Sequence, residues 1–306
     1  MAGADIHTNF QLRVRTLFKS LRTNGLARSA FTMIFIRGLS IFIGVSLSVL
    51  LARWLAPDGY GAYLFTVTIA QFLAMPILAG LPTLVVREVA FAQAKGDAAR
   101  RAGIIRWSAG FVLLTFVAVA ACAAIVFILL DKSQDTASIQ FLALPLVLAL
   151  ACLRLASAVV QGHEHPVAGR LGDGLIRPAL LLSLVLIFAF SGLLSPATAL
   201  WLHVVSAAIA AGFAVGYWSR FCRDSAQSPR SEPSYRTREW LASILPLSLV
   251  TAASLLNSRL DLLMLGILTA SEQVAIYGIA VQLAGLALIG QTIVNSIVAP
   301  KIARIY

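Results

Sequence analysis

Acidic side chains are scarce in this chain: 13 Asp and Glu against 24 Lys and Arg in 306 residues. Charged residues of both signs reach only 12%, where an ordinary globular domain carries about 25%. So little charge cannot cover a water-facing fold of this length, which excludes a soluble domain, and the high apolar content excludes a disordered chain. Cysteine is also rare. Cys122, Cys152 and Cys222 form an odd set without metal-ligand spacing, which excludes a disulfide scaffold. Two of them read as membrane-core filler and one as a cytosolic thiol. Catalytic and cofactor motifs are missing as well. His163-Glu-His165 supplies two ligands where a metal site needs more. Gly59-Tyr-Gly61 has no strand before it and reads as a turn, not a nucleotide loop. No Ser/His/Asp or Cys/His set falls at one membrane depth. No cofactor and no metal is implied, and the chain reads as a non-enzyme.

Apolar sequence is what the chain has in quantity: 59% of residues are hydrophobic and mean hydropathy is +0.87. A spanning helix needs about 20 mainly apolar residues. Eight such spans are predicted, at 30–52, 62–82, 107–130, 138–159, 175–192, 197–218, 241–265 and 274–299. The run 178–219 has no Asp, Glu, Lys or Arg, and Ser191-Gly192 with Ser195-Pro196 supplies a turn within it. Gly212 and Gly216, a G-x-x-x-G pair, predict a close helix–helix contact. The apolar run after Arg28 is too long for a signal peptide's core, so no cleaved signal is expected. Before it, Phe10, Val14, Leu17, Phe18 and Leu21 at helical spacing alternate with Arg13, Arg15, Lys19 and Arg22. This is a basic amphipathic segment suited to an anionic membrane face.

The basic residues set the orientation. Twenty of the 24 fall in the N-terminal segment, in alternate loops or at the end after span eight. Only Arg53 and Lys132 fall on the opposite side, and Arg37 and Arg259 lie inside spans. By the positive-inside rule both termini are cytoplasmic. The positive charge is therefore topological, and a nucleic-acid partner is excluded as its explanation. External connections at 53–61, 131–137, 193–196 and 266–273 are too short for a catalytic domain. The cytosolic stretch 219–240 carries Pro229 and Pro233 and reads as a linker.

Trp54–Tyr63 between spans one and two aligns with Leu268–Tyr277 between spans seven and eight: Ala56 with Ala270, Asp58 with Glu272, Tyr63 with Tyr277. Six spans, an even number, separate the two, so the halves are expected to be parallel repeats about an axis along the membrane normal. The expected organisation is an all-α integral membrane protein of eight transmembrane helices. Residues 1–29 form the cytosolic basic segment, 30–218 a six-helix lobe, 219–240 the linker and 241–306 the first two helices of a second lobe. On this reading the chain is a fragment of a longer transporter.

The segments LARWLAPDGYGAY (51–63), GLPTLVVREVA (80–90), LIRPALLL (175–182), SRLDLLMLG (258–266) and VAIYGIAVQLAGL (274–286) carry a family likeness. They resemble the Wzx-like polysaccharide and O-antigen flippases of the multidrug/oligosaccharidyl-lipid/polysaccharide exporter superfamily. The resemblance implies two six-helix lobes around a cavity in the inner membrane and alternating access. Its cargo is an undecaprenyl-pyrophosphate-linked oligosaccharide among membrane lipids, with a glycan polymerase and glycosyltransferases as working partners.

Three ionised groups inside spans carry the candidate site: Arg37, Arg259 and Asp261. Each costs about 2.5–3.5 kcal/mol at a helix centre if it faces lipid, so they must face a wet cavity or each other. Guanidinium matches two phosphate oxygens at once, which points to an anionic headgroup. The bland alternative is that an arginine pairs with Asp261 and fixes packing. Asn257, Gln282, Gln291 and Asn295 are further cavity candidates for sugar hydroxyls, with interhelical hydrogen bonding as the simpler use. His203 is a candidate proton relay. Arg87-Glu88, and Asp173 with Arg170 and Arg177, read as solvated helix ends. The rival readings are an ion-coupled multidrug exporter of the same superfamily, which should place acidic groups in its cavity, a membrane enzyme of glycan assembly and a non-enzymatic membrane scaffold.

Overall fold

The computed structural model describes residues 25–78, 80–130, 140–222 and 232–285, and every regular element among them is helical. The basic segment at 10–22 and the second half of predicted span eight lie outside the described residues. Among the described residues, six helices are long and apolar enough to cross a membrane.

Helix α1, Gly25–Leu78, holds the first two predicted spans as two limbs. They part at Ala56, whose φ of 57° and ψ of 165° are not helical. Pro57 disfavours the α conformation in the residue before it, which accounts for the extended ψ of Ala56 but not for its positive φ. The limbs double back, because Arg37 and Leu78 line one cavity. The second limb ends at Leu78, and the predicted span is cut short by Gly80, which is left-handed at φ 74°. With Leu81-Pro82 behind it, Gly80 starts a new helix, α2, Leu81–Ala94.

Helix α3 is Ala98–Leu130 and α4 is Ala143–Gly162. Helix α5, Pro166–Phe190, contains one widened π turn at Gly172–Ile176. Pro178 follows that turn directly. Its ring would strike the carbonyl four residues back, and the wider turn gives it room. Helix α6, Pro196–Tyr217, begins with the predicted turn: Ser195 and Thr198 cap each other reciprocally. Helix α7 is Thr237–Leu268, and α8 is described over 271–285.

Lipid tails are as apolar as leucine, so packing between these helices rests on close fit rather than on water release. The most extensive interface, α4 on α6, is built that way. Ala151 and Ala158 on α4 and Ala199, Ala207, Ala210 and Ala214 on α6 are all buried. The Gly212/Gly216 pair lies on the other face of α6. A Cβ on either glycine would meet nothing within 4 Å among the described residues. The expected contact there is therefore corrected: the alanine face packs. The cysteine reading also changes. Cys122 and Cys152 are on the outside of the bundle, and Cys222 is buried.

Helix α7 is exposed along most of its length, with Trp240 and Leu262 buried. It is held at both ends. At one end the start of the second limb of α1 meets the end of α7 and the start of α8: a Cβ on Gly61 would run into the Ser271 backbone, and one on Gly266 into the Phe65 ring. At the other end, residues 232–240 are not a free tether. The Ser234 amide donates to the Ala99 carbonyl at 3.1 Å, and Trp240 packs on Trp107 with ring centroids 5.2 Å apart.

Candidate functional site

A polar cavity of about 460 Å³ lies between both limbs of α1, α2, α4, α5 and α7. Its charged lining is Arg37, Arg154, Arg170 and Arg177 with the single carboxylate of Asp173. Four positive charges face one negative. The π turn of α5 accounts for two of these groups: Asp173 lies in it and Arg177 directly behind it. Arg177 Nε donates to Asp173 Oδ1 at 2.9 Å, and Arg154 Nε approaches Asp173 Oδ2 at 3.9 Å. Arg37 and Arg170 take part in none of the ion pairs found among the described residues. Ser157 Oγ, also in the wall, is buried without a hydrogen-bond partner.

The reading of Asp173, Arg170 and Arg177 as solvated helix ends is thus corrected. They are cavity wall, because the π turn and the crossing of α4 and α5 fold them inward. Glycines permit that crossing: a Cβ on Gly169 would collide with Gln161 and with the Ser157 carbonyl. A smaller recess of about 90 Å³ shares Leu78, Arg154 and Thr251 with the main cavity and is otherwise lined by residues such as Met75, Leu150 and Leu255. The combined space is cationic at one end and largely apolar at the other.

The other predicted residues are distributed as follows. Arg259 is not in the lining of the main cavity. It lies half-buried on α7, within electrostatic reach of Asp261 and Tyr60. Asp261 accepts from Tyr277 Oη at 2.6 Å and from the Leu262 amide at 2.8 Å. No ion pair among the described residues joins it to Arg37 or Arg259. Gln282 Oε1 accepts from Ser48 Oγ at 2.5 Å, an interhelical bond between α8 and α1. Asn257 is exposed on α7. Gln291 and Asn295 lie outside the described residues.

His203 is buried, with only 6% of its surface exposed. Its Nδ1 is 3.0 Å from Tyr63 Oη and its Nε2 is 2.9 Å from Arg177 Nη1. Sequence reasoning could see an intramembrane histidine, but nothing in the sequence ties it to Arg177, 26 residues earlier. Arg154 was missed for a similar reason: it reads as an ordinary basic helix end, and only the crossing of α4 and α5 turns it inward.

Two further buried groups lie at His163 and on α2. His163 is buried, and its Nδ1 donates to the Val159 carbonyl at 2.8 Å. Burial lowers its pKa, against the opposing effect of that hydrogen bond. No cluster of three metal-ligating side chains occurs among the described residues. Glu88 corrects the other solvated-end expectation. It is 6% exposed and accepts from Arg100 Nη2 at 2.7 Å, Arg100 Nε at 3.0 Å and Trp240 Nε1 at 3.3 Å. Helix α2 turns it inward because Leu84, Val85, Glu88 and Val89 share its buried face.

No curated protein and no solved structure matches the chain. A family model described as polysaccharide biosynthesis protein matches residues 26–305. With an all-helical fold, several helices able to cross a membrane and a match over nearly its whole length, the chain is a multi-pass membrane protein that belongs to the polysaccharide biosynthesis protein family.

Proposed function

We propose that this protein is a flippase component that receives the anionic headgroup of a lipid-linked oligosaccharide from the cytoplasm. The headgroup chemistry is a pyrophosphate, or an acidic sugar, on a polyprenyl chain. The observation that carries this is the cavity lined by four arginines and one aspartate. A cationic-drug exporter would need the opposite balance. The basic residues that define the cytoplasmic side flank this same cavity, so it opens toward the compartment where such lipids are assembled. The apolar recess beside it suits the first units of a prenyl tail. Arg37, Arg259 and Asp261 remain cavity candidates in an alternating-access cycle in the inner membrane, with Asn257, Gln282, Gln291 and Asn295 as contacts for sugar hydroxyls. Of these, Arg37 is the candidate that the cavity lining favours.

Binding tests the reading directly. With the protein in lipid nanodiscs, farnesyl pyrophosphate should bind, and Arg37→Gln and Arg170→Gln should each weaken it. A charge-assisted hydrogen bond is worth about 1.5–3 kcal/mol, roughly tenfold to a hundredfold in affinity. Both residues lie outside the ion pairs found here, so their loss leaves no buried partner stranded. Unchanged affinity in a well-expressed double variant would eliminate the cationic cavity as the binding site.

A further inference from the structure

A chain of polar contacts leads away from the cavity into the bundle. Arg154 on α4 approaches Asp173, Asp173 holds Arg177, Arg177 reaches His203 on α6, and His203 reaches Tyr63 on the second limb of α1. Among the described residues, four titratable or charged groups are brought to the histidine along this run: Tyr63 from α1, Arg154 from α4, and Asp173 and Arg177 from α5. The pattern fixes the histidine's protons. A guanidinium only donates, so His203 Nε2 must accept and carries no proton. The single ring proton therefore sits on Nδ1 and is donated to Tyr63 Oη. Neutral His203 thus holds one side of Arg177 while Asp173 holds another. Arg177 is therefore tethered on two sides, although it lines the cavity.

We propose that His203 couples anion binding to the uptake of one proton, by competing with the anionic headgroup for Arg177. When an anion enters the cavity, the Arg177 guanidinium turns toward it and leaves Nε2 without a donor. A proton from cytoplasmic water in the cavity then adds to Nε2. The imidazolium stays bonded to Tyr63 and repels the guanidinium further toward the ligand. The reverse holds when the anion leaves: Arg177 returns, and the proton on Nε2 must depart first, because imidazolium and guanidinium cannot share that bond. This deepens the proposed function and rests on it. It gives the site a proton as coupling ion and predicts that anion affinity rises as pH falls.

The probe is farnesyl sulfate, whose single charge does not change between pH 5 and pH 8, titrated into the protein in nanodiscs. Wild-type affinity should rise as pH falls, approaching tenfold per pH unit where a full proton is taken up on binding. Calorimetry in two buffers of different ionisation heat should read close to one proton taken up per probe bound. In His203→Gln the amide oxygen can still accept from Arg177 but cannot be protonated, so the pH dependence and the proton uptake should both vanish while binding persists. A His203→Gln protein with the wild-type pH slope would overturn the coupling and leave the cationic cavity standing. No binding of the probe at any pH would overturn both. Nitrogen-15 spectra of histidine-labelled wild-type protein give a separate answer that needs no variant. The free protein should show a buried Nδ1–H, unprotonated Nε2 ring, and probe binding should convert it to the doubly protonated form. A ring unchanged by bound probe would sink the proposal.

Discussion

Glu88 carries the strongest residue-level consequence. Its carboxylate is buried, and three donor atoms from α3 and α7 converge on it. Removing one partner of a buried pair is far worse than never having built it, because the other charge is left without compensation. Glu88→Ala should therefore destabilise the protein by on the order of 3 kcal/mol, with Arg100 the stranded group. The double change with Arg100→Leu should recover part of that loss. Thermal unfolding in detergent, followed by exposure of the buried tryptophans, would read both. If Glu88→Ala melted with the wild type, the carboxylate would be the solvated helix end that its sequence context implies.

Among the helices, glycine reports how closely neighbours approach. Gly61, at the start of the second limb of α1, sits against the Ser271 backbone with no room for a methyl group. Gly212, in the middle of α6, meets nothing. Replacing a helical glycine by alanine removes conformational freedom from the unfolded chain, a gain of about 0.4–1 kcal/mol when the native site has space. Gly212→Ala and Gly216→Ala should then leave stability equal or slightly raised, and Gly61→Ala should lower it. A fluorescence-detected melting series would separate them. The reverse order would restore the G-x-x-x-G motif as the contact that its spacing implies.

For the whole molecule, charge placement and tertiary contacts argue for one orientation. Reporter fusions after residues 168 and 228 should give cytoplasmic signals, and fusions after 195 and 270 external ones. The physical basis is the imbalance of Lys and Arg between alternate connections, with Arg53 and Lys132 alone in those expected to be external. An external signal at 168 would place the arginine cavity on the wrong side of the membrane for the proposed cargo. The loops that the internal repeat pairs, 54–63 and 268–277, pack against each other at the end of the bundle opposite the cavity. That leaves the opposite end, which the positive-inside rule assigns to the cytoplasm, as the place where the four arginines can be reached.

The helical, multi-pass membrane character was legible in the sequence, and the charge pattern sets an expected orientation. Both follow from composition and from the spacing of charge along one chain, quantities that need no neighbour. The turn at 191–196 and the break at Pro57 were legible too, because proline and capping chemistry act within a few residues. Helix limits were less so: the end of span two at Leu78 depends on Gly80 adopting a left-handed conformation, which its neighbours α2 and α7 accommodate. The site was read only in part. Arg37 stood out because an arginine inside an apolar run is costly. Arg154, Arg170, Asp173 and Arg177 looked like ordinary helix ends, since a charge at a helix end costs almost nothing in isolation. Their convergence required the π turn before Pro178 and the close crossing of α4 over α5. The bond from Arg177 to His203 and the burial of Glu88 belong to the same class. Each depends on which faces of three helices meet, and that is set by packing across the bundle rather than by any local pattern.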